Sequence, residues 1–390
     1  MINYELHALF IFIRNGVSIK QFDSSGIPIT RIESIAKGKF DIEKTGRADI
    51  FNDKFKDYYL QKDDILMSHI NSLKHLGKVA IIDQINDEVI HGMNLLCLRP
   101  NKSIIPKYIY YYFKSNLFYK DIFRISKKSV NQASFSISDF KKIKISVPSL
   151  PIQKKIAETL DIASELIEKR KLQLVEMDNL IQSIFIEMFG DPVINNKNWD
   201  LVKLTDLGVI GRGVSKHRPR NDPKLLGGEY PLIQTGDVSN SGLFINSYSS
   251  TYSEFGRQQS KLWEEGTLCI TIAANIAKTS ILGFSACFPD SVVGLVVNEK
   301  TNSIFMHNWF KFFQKIIENN APESAQKNIN LRILSELEVV YPPVELQNEF
   351  ASIVEEIEAQ KKLMEESLIE MENNFNALMQ KAFKGESFPE

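Results

Sequence analysis

The residues able to do chemistry in this chain are arranged for contact rather than for bond-making. Six histidines are scattered without ligand spacing, so none makes the short-range imidazole pair that a metal site needs. No GxxxxGK[ST], HExxH, GxSxG or GxGxxG run occurs, which removes the usual phosphate-loop, zinc-peptidase, serine-hydrolase and dinucleotide chemistries. Pro289-Asp290 followed by Glu299-Lys300 hints at a carboxylate–lysine nuclease set, but the spacing within Glu299-Lys300 is wrong. Tyr341-Pro342-Pro343-Val344 superficially resembles an amino-methyltransferase loop and lacks its amide and closing aromatic. What remains is a set of basic, amide-rich loops. One runs through His69, Asn71, Lys74 and His75 to Lys78, and another holds Lys127, Lys128, Asn131 and Gln132. Later in the chain come Lys216, His217, Arg218 and Arg220, then Thr271, Asn275 and Lys278, then Gln326, Lys327 and Asn328. Asn and Gln pair bidentately with adenine and Arg or Lys with guanine, while Lys, Ser and Thr hold phosphates. These loops are therefore the candidate DNA contacts; the other reading is that they are ordinary solvated loops.

Charge is segregated along the chain. Residues 1–147 carry 23 Lys/Arg against 15 Asp/Glu, and residues 342–390 carry 4 against 11. A basic first part suits a polyanion, and an acidic last part suits protein partners. No apolar run approaches the roughly 18 residues of a membrane span, so no membrane partner is expected. Cys97, Cys269 and Cys287 lie in apolar surroundings without metal-type spacing and read as reduced core residues, which fits the cytoplasm.

The elements that must position the loops come in two copies. Residues 1–147 predict strands at Ile27–Ile35, Ile65–Ser68, Lys78–Asp83, Glu88–Arg99 and Ile143–Val147, with a Pro-initiated aromatic helix over Lys107–Ser115. Residues 191–341 repeat the order: Arg212-Gly213-Val214-Ser215 echoes Asn15-Gly16-Val17-Ser18, and Gly294-Leu295-Val296-Val297 echoes Asn94-Leu95-Leu96-Cys97. The expected fold is α+β, two duplicated modules (1–147 and 191–341), each followed by a long helical segment (148–190 and 342–390).

Those segments carry the strongest pattern. Ile152, Ile156, Leu160, Ala163, Ile167, Arg170, Leu174, Met177, Ile181, Ile184 and Met188 recur at the 3.5-residue period of a coiled-coil seam. The second copy repeats it, with Phe350, Val354, Lys361, Met364, Leu368 and Phe375 matching Ile156, Leu160, Ile167, Arg170, Leu174 and Ile181. At ~1.5 Å per residue such a helix is roughly 55 Å long and cannot bury its stripe on a small module alone. Antiparallel pairing of the two helices, with a pseudo-twofold relation, is the expected solution. Counting heptads from the midpoint sets Ile167 against Met364 and Arg170 near Lys361.

Val147-Pro148-Ser149-Leu150-Pro151-Ile152-Gln153 and Tyr341-Pro342-Pro343-Val344-Glu345-Leu346-Gln347, each opening one of these helices, resemble the two conserved openings of the specificity (S) subunit of type I restriction–modification systems. The family pattern has Glu before the Gln; here Ile152 and Leu346 stand there. The resemblance covers essentially the whole chain. It implies two target recognition domains, each reading half of a split site in double-stranded DNA, and a coiled coil that sets the gap between half-sites. It also implies two methyltransferase (M) subunits bringing S-adenosylmethionine, restriction (R) subunits bringing ATP and Mg, and no catalytic residue, cofactor or metal in this chain. The rival is a two-module coiled-coil scaffold that binds proteins instead of DNA.

Overall fold

Gly16 and Gly213 stand at equivalent bends in the two copies. A Cβ on Gly16 would meet the His91 carbonyl oxygen at 2.2 Å, and one on Gly213 the Phe288 carbonyl oxygen at 2.3 Å. The next residues, Val17 and Val214, donate their amides to those same oxygens at 2.9 and 3.1 Å. Both copies thus bring a strand end into backbone contact that only glycine permits. The computed structural model describes residues 2–22, 26–48, 53–129, 132–273, 276–320 and 329–388. It divides into two units: Met1–Arg170 with Ser367–Glu390, and Lys171–Glu366.

In the first unit, four antiparallel strands lie in the order Phe10–Asn15, Leu95–Pro100, Ile65–Ser68, Val79–Ile81. Ile2–Glu5 pairs with Lys144–Val147 and ties the chain start to the end of the module. The aromatic helix runs Pro106–Lys114 with Pro at its first turn, as its sequence requires. Its Tyr108, Tyr112 and Phe113 fill the core beside a second helix, Asn116–Ile125. Two strand expectations shorten. Ile27–Ile35 is extended only over Ile27–Ile29 and then turns as a 3-10 helix at Ile32–Ile35. Glu88–Arg99 becomes a strand only from Leu95; the earlier part makes isolated bridges through Ile90.

The second unit repeats the plan with the order Gly208–Arg212, Val292–Val297, Leu268–Thr271, Thr279–Leu282. Leu201–Lys203 pairs with Glu338–Val340. A further sheet of four strands, including Leu226–Leu232 and Ser250–Tyr252, is carried on it. The equivalence is sharper than the sequence match. Asp63 (φ 70) and Gly266 (φ 84) occupy the same left-handed turn, and their amides go to Ile82 and Leu282, each at 2.8 Å.

The long helices run Leu150–Phe189 and Val344–Lys384. In the first unit, Ile156, Ala157 and Leu160 share a core with Met379 and Ala382, and with the half-buried Phe375 and Phe383. In the second, Ile181, Phe185 and Phe189 share one with Phe350, Val354 and Ile357. Within each unit the early stretch of one helix meets the late stretch of the other, as antiparallel pairing demands. Among the seam residues, Ile167 is also buried, whereas Leu174, Met364 and Leu368 are half-exposed.

The register differs from the heptad count. Lys361, only 9% exposed, donates to Asp178 at 2.7 Å and to Glu358 at 2.8 Å; Arg170 is not among those partners. The pairing lies about one heptad from the expected one. The cause is at the helix ends, where aromatic residues dock into the modules: Phe185 against Phe305 and Phe312, and Phe383 against Tyr108 and Tyr112. Aromatic docking, rather than symmetry about the midpoint, sets the offset.

Each helix start is held by its glutamine. The buried Gln153 amide accepts from the Ile105 amide at 2.8 Å and donates to the Pro148 carbonyl at 2.9 Å. Gln347 accepts from Thr301 Oγ1 at 2.7 Å and donates to the Pro342 carbonyl at 2.8 Å. The repeated Pro…Gln run is a clip between the module and the helix that leaves it.

Candidate nucleic-acid interface

The loop residues of the first unit gather on a three-stranded ribbon. Lys127–Lys128 pairs with Ala133–Ser134, which pairs with Ile70–Asn71. The Ser129 amide donates to the Gln132 carbonyl at 2.8 Å and closes the turn. Asn71 donates to Ser68 Oγ at 3.2 Å and accepts the Ser72 amide at 2.8 Å, so it shapes the bend after the sheet strand. Lys74, Lys127, Lys128 and Gln132 are exposed. Asn131 lies outside the described residues.

Three neighbours depart from the expectation. His69 is 4% exposed and packs its ring edge-on against Phe135 at 6.2 Å; its burial depresses its pKa. A side chain so placed offers nothing to a duplex. Lys78 is half-buried and donates to the Ala36 carbonyl at 2.9 Å. His75 is half-buried.

In the second unit the basic run folds back on acids that sequence spacing did not connect with it. His217 Nε2 meets Asp222 at 2.9 Å. Arg218 donates to the Ser215 carbonyl at 2.6 Å and lies 3.7 Å from Asp290, and Arg220 pairs with Asp290. Gln259 accepts the amides of both Lys216 and His217, at 2.6 and 3.0 Å. This fixes the loop and leaves the Lys216 side chain exposed. Asp290 is therefore an anchor for arginines, and the suggested carboxylate–lysine set does not form. Thr271 is fully buried and accepts the Lys278 amide at 3.1 Å, a turn-holding role; Lys278 itself is exposed. Asn275, Gln326, Lys327 and Asn328 lie outside the described residues.

Sequence pattern does not connect Gln259 or Asp290 with this loop because they lie far along the chain from Lys216 and Arg220, whereas Asp222 belongs to the loop itself and holds His217. Among the described residues no group of three or more His, Cys, Asp or Glu could hold a metal ion. Among the same residues no helix is long and apolar enough to cross a membrane. The three cysteines are free and buried.

Two histidines are structural and give a pH dependence. His307 is 6% exposed, with Nδ1 3.1 Å from Thr279 Oγ1, and burial lowers its pKa to about 3. His91 is 1% exposed, bonded to the Leu95 carbonyl at 2.8 Å, and burial lowers its pKa to about 4. Both are neutral when folded and would take up protons on unfolding below their ordinary value of 6.5. Their stabilisation is complete above that pH and is lost as pH falls toward the folded values. Each is expected to remove about 2 kcal/mol near pH 5. Chemical denaturation at pH 7.5 and about 5 checks this, with His307→Gln flattening the difference.

The chain matches the family model described as the type I restriction modification DNA specificity domain, over residues 13–177 and again over 196–373. It is 30% identical over 370 residues to the type I restriction enzyme MjaX specificity subunit of Methanocaldococcus jannaschii, covering 91% of this chain and 86% of that protein. It is 23% identical to the StySPI specificity subunit of Salmonella potsdam, covering 92% and 82%. In fold it resembles the S subunit of M. genitalium, with a TM-score of 0.55, 16% identity and coverage of 98% and 96%. A chain from a structure on complex assembly and conformational transition of the type I R-M system gives a TM-score of 0.61 at 16% identity, covering 99% and 98%. The two matched segments, each taking in one copy of the sheet and its clip, place this chain in the family of type I restriction–modification DNA specificity subunits.

Proposed function

We propose that this chain is the non-catalytic DNA-reading subunit of a type I complex, each unit recognising one half of a bipartite duplex site. The observation that carries this reading is the doubling of one module, each copy carrying exposed loop lysines beside its sheet. Phosphate contacts from Lys74, Lys127, Lys128, Lys216 and Lys278 would position the units, and amide or base-edge contacts would specify sequence. The copies differ in loop composition, so their half-sites would differ.

The helices, 40 and 41 residues long, would set the spacing between half-sites. Their unpaired faces support a docking role: Leu172 and Val175 in the second unit are 59% and 54% exposed, and Ile162 and Ile369 in the first are 61% and 60% exposed. Methyltransferase subunits would cover these faces and supply S-adenosylmethionine; restriction subunits would supply the ATP- and Mg-dependent steps. Methylation requires the base to leave the stack, which is the partner's task.

Lys127→Ala and Lys216→Ala are each expected to weaken DNA binding by the assembled complex evenly across sequences. Each should also lower the slope of log affinity against log salt by about 0.9. Titration of labelled duplex at several salt concentrations reads both effects. Unchanged slopes in both variants would remove these loops from the interface. Loss of a bound protein with DNA binding intact would favour the scaffold reading.

A further inference from the structure

The basic excess of the first module is not spread over it. Residues 1–100 hold 13 Lys/Arg and 13 Asp/Glu, while residues 101–147 hold ten against two. The corresponding stretch of the second copy, residues 302–341, is balanced at four against four. Part of the excess is occupied elsewhere: Lys107 pairs with Asp161 at 2.7 Å, and Arg124 with Asp121 at 2.9 Å. Lys120, Lys127 and Lys128 are exposed.

Lys120 and Lys128 share one surface through Phe123. The helix Asn116–Ile125 leads through Ser126 directly into the ribbon strand Lys127–Lys128. The Lys128 ammonium sits 4.8 Å from the centre of the Phe123 ring, which is 55% exposed. Tyr119 is 39% exposed beside it. Tyr119, Lys120 and Phe123 line a depression of about 440 Å³ with Lys384 at its edge. A face of lysines interleaved with open aromatic rings suits a polyanion that also offers flat or apolar groups. An acidic peptide would satisfy the charge; the continuity with the ribbon and the run of cations at helical and strand spacing favour the regularly spaced phosphates of a duplex.

We propose that this helix face is a second, sequence-independent contact for the DNA backbone, engaged beside the ribbon in the stretch of the first unit whose basic excess the second copy lacks in sequence. The inference rests on the DNA-reading function above, and adds to it a surface outside the candidate recognition loops. It makes the two half-sites unequal in kind: one is held by more non-specific affinity than the other.

Lys120→Gln and Phe123→Ala test it in the full chain, since both side chains are exposed and neither supports the core. The probe is a fluorescein-labelled duplex of arbitrary sequence, about 40 base pairs long, titrated by anisotropy across a KCl series. Lys120→Gln is expected to lower the log–log salt slope by about 0.9 and weaken binding several-fold at low salt. Phe123→Ala, which frees Lys128 from its ring, is expected to weaken binding without lowering the slope. The sequence motif methylated in cells carrying either variant should stay that of the wild type. A wild-type slope and affinity in both variants, with unchanged melting, overturns the proposal. Wild-type DNA binding combined with loss of a co-purifying protein assigns the face to a protein partner and also overturns it. A wild-type chain and complex that show no salt-dependent binding at all would instead remove the DNA-reading function itself.

Discussion

Replacing Phe185 by Ala is expected to destabilise the Lys171–Glu366 unit by about 3–5 kcal/mol. Phe185 is fully buried and its ring meets Phe189, Phe305, Phe312 and Phe350 at 5.0–5.6 Å between centres. The site joins the end of one long helix, the start of the other and the helix Ser303–Asn320 of the same unit. Those three elements are rigid, so the space left by the ring cannot collapse, and the cavity cost adds to the lost burial. Phe350→Ala should behave alike, because Phe350 meets both Phe185 and Phe189. Denaturant unfolding followed by tryptophan fluorescence measures the loss, since Trp309 lies in the same core. A loss under about 1 kcal/mol would mean that the helix ends are not anchored through these rings.

The second large effect is expected at Asp64 in the first unit. Its carboxylate is inaccessible to solvent and takes two bonds from Arg99, at 2.7 and 2.8 Å, and one from the Gln61 amide at 2.8 Å. The Arg99 guanidinium also covers Phe12 at 4.8 Å. Asp64→Ala leaves that guanidinium largely enclosed without its carboxylate, keeping the bond to the Tyr59 carbonyl at 3.2 Å, which should cost about 3 kcal/mol. Replacing both partners, as Asp64→Leu with Arg99→Met, should recover most of it, because the desolvation of two charges then disappears as well. The comparison of single and double variants by thermal unfolding decides between a pair that stabilises the sheet and one that is costly only when broken. The second unit has Thr267 at the equivalent place, bonded to the Glu264 carbonyl at 2.6 Å, so the fold does not demand an ion pair there.

The duplication, the two helices and their antiparallel pairing were legible in the sequence, because heptads and a Pro…Gln run are local patterns that survive in both copies. The register was not. It depends on where Phe185, Phe189 and Phe383 find room among aromatic side chains of the modules, and that is a packing outcome. The heptad count sets Arg170 near Lys361. The structure gives Lys361 a different role, as a clasp to Asp178 and Glu358.

The candidate interface was legible in part. Lys127 and Lys128 are where a ribbon exposes them, while His69 and Thr271 were misread as loop groups. His69 follows the buried strand Ile65–Ser68 and Thr271 ends the buried strand Leu268–Thr271, and a polar side chain there is absorbed into the core with a local hydrogen bond or ring contact. Arg218 and Arg220 are dense in sequence, yet density does not show that Asp290 folds against them.

The central claim is that one chain reads two separated half-sites for a partner that modifies DNA. The measurement that meets it most directly is base-resolved methylation mapping of the whole genome in cells with and without this chain. Removal of the chain is expected to abolish methylation at a single motif made of two different short sequences separated by a fixed unspecified gap. An unchanged methylation pattern, or loss of an uninterrupted motif, would contradict it.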